Sequence, residues 1–167
     1  MKNPMITLIG MPGAGKSTVG VVLAKVLGYD FIDSDLLIQK SEGKLLWEIL
    51  AEQGQDGFNL VEERVNCSIP QSLCVLATGG SAVYSEKAMQ HLREISTVVY
   101  LQTDYETLRD RLGDLTQRGV SFRPGQTLQD LYLERIPLYE RYAHITVSLK
   151  NSDVRSVVSQ IRTALSL

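Results

Sequence analysis

Short apolar runs and helix-periodic stretches alternate along this chain. Met5–Ile9 is the first apolar run; beyond a glycine-rich turn, Val19, Val22, Leu23, Val26 and Leu27 recur at helical spacing until Gly28 supplies a stop signal. A short strand ends in Asp30–Asp33, and helical stretches follow at about 36–54 and 56–69, closed by Pro70. Leu73–Ala77 reads as a buried strand, and Ser85 as the N-cap of a helix carrying Ala88, Met89 and Leu92. Thr97–Leu101 is the next strand, and Thr103 and Glu106 have capping-box spacing for the helix after it. Residues 113–126, with Gly113, Gly119, Pro124 and Gly125, form the best loop candidate. A helix follows from about Thr127 to Ala143, with Pro137 expected to kink or divide it. Ile145–Leu149 is the last strand, and Val154, Val157, Val158, Ile161 and Leu165 line one face of the final helix. Five strands with helical crossovers predict a three-layer α/β fold: a five-stranded parallel sheet flanked by helices, in a single domain over 1–167. Ligands are then expected at the carboxyl ends of the strands.

Composition adds exclusions. With 167 residues and 44% hydrophobic content, the chain suits one sizeable core. A net charge of -2 and a pI of about 5.7 give no electrostatic footprint for nucleic acid. No apolar run approaches the ~20 residues of a membrane span, and Met1-Lys2-Asn3-Pro4 lacks signal-peptide architecture. The expectation is a cytoplasmic protein without membrane contact, and a monomer, since no helix shows an obvious apolar outer face. Cys67 and Cys74 read as ordinary reduced thiols, one in a helix and one in a strand. His91 and His144 look incidental, and Trp47 is expected to pack within a helix.

The strongest chemical signal is Gly10-Met11-Pro12-Gly13-Ala14-Gly15-Lys16-Ser17, which fits the GxxxxGK[ST] pattern between a strand and a periodic helix. Glycines let successive backbone N–H groups turn toward phosphate oxygens, and the following helix adds its positive end. Gly13, Ala14, Gly15, Lys16, Ser17 and Thr18 are the candidate nucleotide cradle. Lys16 would reach the β- and γ-phosphates of ATP, and the Ser17 hydroxyl would ligate Mg²⁺. A chance glycine turn would not need this strand-and-helix context.

Asp33-Ser34-Asp35 ends the second strand, at the sheet edge that carries the phosphate loop. A kinase needs one carboxylate near the metal and another to orient or deprotonate the acceptor hydroxyl. The alternative is that one of them merely caps the next helix. Thr78-Gly79-Gly80-Ser81 ends the third strand, and its glycines would open backbone N–H groups to a ligand. Arg111, Arg118, Arg123, Arg135 and Arg141 fall in the second half; some are expected at phosphate or at a substrate carboxylate, others as solvated charges.

Together these residues resemble the shikimate kinase family. The resemblance runs over nearly the whole chain. Besides the phosphate loop, Asp33-Ser34-Asp35 and Thr78-Gly79-Gly80, it rests on Gly43, the Gly54 and Phe58 stretch with Glu62-Glu63, Val98–Leu101 and Arg135–Tyr139. It implies a core with an acceptor-binding segment at about 33–64 and a mobile lid at about 113–126. It also implies that Asp33 supports Mg²⁺, that Asp35 holds the acceptor hydroxyls and is the candidate base, and that Gly80 meets the acceptor through its backbone. Arg111 would lie against adenine, Arg118 would reach the phosphates from the lid, and Arg135 would bind the acceptor carboxylate.

Three positions depart from the family pattern. Asn59 stands where the family has an arginine for the shikimate carboxylate, and Ser81 replaces the third glycine of a triplet. The lid reads Arg118-Gly119-Val120-Ser121-Phe122-Arg123-Pro124-Gly125, so either Arg118 or Arg123 fits the lid role. A lost charge-assisted hydrogen bond costs ~1.5–3 kcal/mol, roughly a tenfold to 150-fold weakening. The leading expectation is MgATP-dependent conversion of shikimate to shikimate 3-phosphate, with Asp35, Asn59, Gly79, Gly80, Ser81 and Arg135 around the acceptor. A kinase of the same fold for another small hydroxylated metabolite is the alternative. A nucleotide-binding regulator without turnover is a third reading, disfavoured because a sensor needs no acceptor base.

Overall fold

The computed structural model describes residues 4–112 and 123–167. Arg118 and most of the predicted lid at about 113–126 lie outside the described residues. The elements in chain order are β1 (Ile6–Ile9), α1 (Lys16–Leu27), β2 (Asp30–Asp33), α2 (Ser34–Glu42), α3 (Leu46–Cys67), β3 (Cys74–Ala77), α4 (Glu86–Ile95), β4 (Thr97–Gln102), α5 (Tyr105–Arg111), α6 (Leu128–Tyr142), β5 (Ile145–Ser148) and α7 (Val154–Leu165). A short 3-10 turn, Ala82–Tyr84, sits between β3 and α4.

All described strand pairs are parallel, in the order β2-β3-β1-β4-β5. β1 is therefore central: Ile6 pairs with Val75 on one side and with Thr97 on the other. Its side chains alternate between two layers, as the period of a strand requires. Ile6 and Leu8 pack with Leu23 and Ala24 of α1 and Val157 and Ile161 of α7. Met5 and Ile9 face Met89 and Leu92 of α4 and Leu131 and Tyr139 of α6. A continuous apolar run in the sequence thus becomes a strand buried on both faces, as expected for a parallel sheet. A third cluster, Ile38, Ile49, Phe58, Val61 and Val65, holds α2 and α3 together beside the sheet.

Several boundaries differ from the sequence expectation. The stretch expected at about 36–54 is broken at Gly43, whose φ of 66° ends α2, and α3 begins at Leu46. Helical periodicity runs through the break because both pieces point apolar residues at the same cluster. Gly54 does interrupt the helix as expected, with φ 68° and ψ -176° inside α3. Trp47 is 51% exposed and not packed; it lies two residues from the buried Ile49, on the other side of the helix. Asp104, not Thr103, caps α5: its carboxylate accepts from both Thr107 N at 2.9 Å and Thr107 Oγ1 at 2.8 Å. Pro137 does not divide α6, because buried Arg135 and Tyr139 on either side seat one helix across it.

The Ser85 cap stands as read: its Oγ accepts from Ala88 N at 3.0 Å and donates to Glu63 Oε2 at 2.5 Å. Cys67 and Cys74 are free thiols, in α3 and β3. His144 accepts the Val98 N–H on Nδ1 at 2.9 Å, a fastening between β4 and the start of β5. No described helix is long and apolar enough to cross a membrane.

Candidate active site

The β1–α1 turn is the floor of the site. Gly15 caps α1 in a left-handed conformation, φ 93°, which a side chain would resist. From that turn Lys16, only 8% exposed, folds back to donate to the Gly10 carbonyl at 2.7 Å and the Met11 carbonyl at 2.9 Å. Burial pulls its ammonium down to about 8, against the opposing attraction of Asp35. A desolvated lysine held only by neutral carbonyls is electrostatically prepared for an incoming anion.

Asp33 does two things. Its Oδ1 accepts the Asp35 N–H at 2.9 Å, capping α2, and its Oδ2 accepts from Ser17 Oγ at 3.0 Å. The capping role and the phosphate-side role therefore coincide in one carboxylate. Ser17 and Asp33 are hard oxygen donors beside the phosphate loop, a fit to Mg²⁺, which commonly takes one or two protein oxygens and completes its shell with water and phosphate. Among the described residues no group of three or more acids, cysteines or histidines could hold a metal ion.

Asp35 lines a cavity of about 230 Å³ together with Lys16, Gly79, Gly80, Ser81 and Arg135. Burial first, then the neighbouring Asp33 charge, raise its carboxyl to about 6, with Lys16 opposing. A carboxylate poised there can accept a proton from a hydroxyl near neutral pH. Arg135 is 1% exposed; its Nε donates to Tyr84 Oη at 3.2 Å and its guanidinium lies 5.1 Å from the centre of the Tyr84 ring. It sits on the inward stripe of α6 with Leu131 and Tyr139, where a charge is retained only with partners or a purpose.

The two glycines after β3 are there for closeness. A Cβ at Gly79 would stand 2.7 Å from Glu62 Oε2 and 2.9 Å from Asp35 Oδ1. One at Gly80 would stand 2.6 Å from Pro12 Cδ and 2.9 Å from Arg135 Nη1. The Gly79 N–H is not offered to a ligand as the sequence suggested; it donates to Ser34 Oγ at 3.2 Å.

A second cavity, of about 470 Å³, opens on the other flank of the loop, between Gly13–Val19, Arg111 and the segment from Leu149 to Val157. Arg111 reaches across it to the Gly13 carbonyl at 3.4 Å. Ala14 and Thr18 also face this side. The phosphate loop thus divides an adenosine-sized recess from an acceptor-sized one.

Not every candidate gathers there. Asn59 lines a neighbouring hollow of about 300 Å³, with Glu62 and Ser81 in the wall between. Arg123 is exposed, and its N–H donates to Gln126 Oε1 at 3.2 Å. Arg141 pairs with Glu86 on the surface. Conversely, Glu62 was assigned no role from the sequence. It is 2% exposed and accepts from Ser81 Oγ at 2.6 Å. Its signal was present: Phe58, Glu62 and Val65 follow helical spacing, which puts an acid on the buried stripe of α3.

The family profile and the curated relatives compared with this chain are shikimate kinases. The sequence profile of the family described as shikimate kinase matches residues 12–166. The shikimate kinase of Haemophilus influenzae (strain PittEE) is 40% identical over 162 residues, covering 93% of this chain and 89% of that one. A solved structure of shikimate kinase from Acinetobacter baumannii in complex with shikimate superposes with a TM-score of 0.85 at 34% identity, over 98% of this chain and 93% of the other. That of shikimate kinase from Aquifex aeolicus gives 0.84 at 30%, over 97% and 96%.

Proposed function

This chain belongs to the shikimate kinase family of ATP-dependent small-molecule kinases, and from that premise we propose that it phosphorylates shikimate, to shikimate 3-phosphate, in the cavity between Lys16 and Arg135. The observation that carries the reading is the spacing of charge in that cavity. Asp35 lines the same cavity as two cations, Lys16 from the start of α1 and Arg135 from α6. A small acid bearing hydroxyls fits this polarity: its carboxylate goes to Arg135 and its hydroxyl to Asp35, facing the loop.

Each residue then has a step. Arg135, braced by Tyr84, holds the acceptor carboxylate. Asp35 orients the acceptor hydroxyl and takes its proton as that oxygen bonds to the γ-phosphorus of ATP and the bond from the γ-phosphorus to the bridging oxygen breaks, with ADP as the leaving group. Lys16 exchanges its two carbonyl partners for phosphate oxygens and offsets the charge that builds there. Ser17 and Asp33 would hold Mg²⁺, which supplies charge neutralisation when bound. Gly13, Ala14, Gly15 and Thr18 form the cradle, with Arg111 beside the base. Arg118 or Arg123 completes the phosphate site from the lid in the same proposal, which also takes the protein as a cytoplasmic monomer.

A second reading has one observation in its favour. Asn59 does not line the acceptor cavity, and among the described residues that do, Arg135 is the only arginine. That arrangement also suits a small hydroxylated metabolite with less anionic character. ADP release from MgATP, with and without shikimate and with Lys16→Ala protein as the blank, separates the two. Shikimate-dependent turnover supports the first reading. Intact ATP binding without stimulation by shikimate overturns it.

A further inference from the structure

We propose that Ser81 and Glu62 are positioning residues that set how tightly this pocket holds an anionic acceptor: the Ser81 hydroxyl fixes the Glu62 carboxyl in the wall shared by Asp35 and Arg135, and the charge on that carboxyl opposes the acceptor's own. The inference rests on the acceptor reading above and deepens it.

The geometry is specific to these residues. Glu62 Oε1 is taken by Ser81 Oγ at 2.6 Å, while Oε2 is buried with no hydrogen-bond partner. Oε2 and Asp35 Oδ1 converge on one point above Gly79, and Arg135 Nη1 approaches the neighbouring Gly80. The charged groups facing Glu62 come from three elements: Asp35 from α2, Arg135 from α6 and Lys16 from α1. All of them line the acceptor cavity with it. Glu62 is thus a third carboxyl-bearing party to the contact between Arg135 and an acceptor carboxylate. When neutral it adds no charge beside the Arg135 guanidinium; when ionised it attracts that guanidinium and repels the acceptor.

The balance between those forms falls in the working range of pH. Burial chiefly, and Asp35 in addition, raise the Glu62 carboxyl to about 7, while the Ser81 hydrogen bond, Arg135 and Lys16 pull it down. Ser81 therefore favours the ionised form, and a residue without a hydroxyl at this position would move the balance toward the neutral one.

The test is the pH dependence of shikimate KM and kcat from pH 5.5 to 9 at saturating MgATP, for wild type, Glu62→Gln and Ser81→Ala. In the wild type, KM should rise through the neutral range by roughly tenfold, the equivalent of one pKa unit of interaction. Glu62→Gln should abolish that rise, and Ser81→Ala should shift it to higher pH. A mere packing role would lower stability without moving the profile. A KM rise that persists in Glu62→Gln overturns the proposal; if that variant does not fold, an unshifted profile in Ser81→Ala does so. Turnover by the wild type with a flat KM overturns this inference alone, whereas no shikimate turnover at any pH overturns the acceptor reading and this inference with it.

Discussion

The Tyr139 hydroxyl donates to the Gly80 carbonyl at 2.6 Å, tying the buried stripe of α6 to the segment after β3 that lines the acceptor cavity. The same ring stacks on Tyr100 of β4, with centroids 5.1 Å apart. The segment's position is thereby fixed by the sheet through one phenol. Tyr139→Phe keeps the stack and removes the donor, at a cost of about 1 kcal/mol. Shikimate KM should rise several-fold while ATP KM stays unchanged; equal effects on both would show that the bond is not local to the acceptor side.

Gly79→Ala should be a test of closeness. The new methyl would press on Glu62 Oε2 and Asp35 Oδ1, both nearer than 3.0 Å. Displacing a base by about 1 Å can cost 10²-fold in rate, so kcat should fall by about 10–10²-fold with the fold retained by circular dichroism. Unchanged kcat would mean that Asp35 does not depend on this wall.

Arg135→Lys exchanges a braced, planar fork for a point charge and leaves the Tyr84 ring without its guanidinium. Shikimate KM should increase by roughly tenfold to 150-fold, the worth of a charge-assisted hydrogen bond, with a smaller change in kcat. Steady-state kinetics on the purified variant checks this; a kcat defect at normal KM would place Arg135 at the phosphate instead.

Lys16→Ala and Asp35→Asn should separate the two halves of the chemistry. Loss of Lys16 should lower kcat by at least about 10²-fold, as for other lost charge-stabilising donors. Asp35→Asn should spare ATP binding, measured by calorimetry, while losing turnover. Normal turnover by Asp35→Asn would remove its assignment as base.

Stability should decline as pH rises, because of Glu62. Its carboxyl is raised from 4.5 to about 7 in the folded protein, mainly by burial. Between those values the folded chain binds the proton that the unfolded chain has released, so stability is lost with rising pH across the window, by up to about 3 kcal/mol. Urea midpoints at pH 5.5 and 8 should differ by more in the wild type than in Glu62→Gln; equal differences would show that Glu62 ionises as if unburied.

Much of this was legible in the sequence, for identifiable reasons. β1, β3 and β4 are apolar on both faces, so their runs stand out without periodicity, and the phosphate loop carries its conformation in its glycines. Asp33 and Asp35 could be put at the sheet edge because strand ends have fixed geometry, whereas Arg135 was singled out from the other arginines only by the family resemblance. What was hidden depends on contacts between distant segments. Gly43 breaks a pattern that stays in phase across it, Asp104 outcompetes Thr103 because a carboxylate can accept two bonds from Thr107, and the Glu62–Ser81 pair joins residues nineteen apart. Nor does linear position reveal that Asn59 falls behind that pair, outside the acceptor cavity.

The central place of β1 has an evolutionary consequence. Acceptor groups hang from α2, α3, α6 and the segment after β3, and the adenosine recess from α1, α5 and the β5–α7 segment, with the phosphate loop between them. The two substrates therefore approach from opposite flanks of one strand and share little beyond that loop. Changes on the acceptor flank are energetically separable from those on the nucleotide flank, and well-separated changes add. Such a layout is modular: new acceptors can be tried by exchanging a few residues around positions 62, 81 and 135, while the inherited apparatus for ATP is left alone.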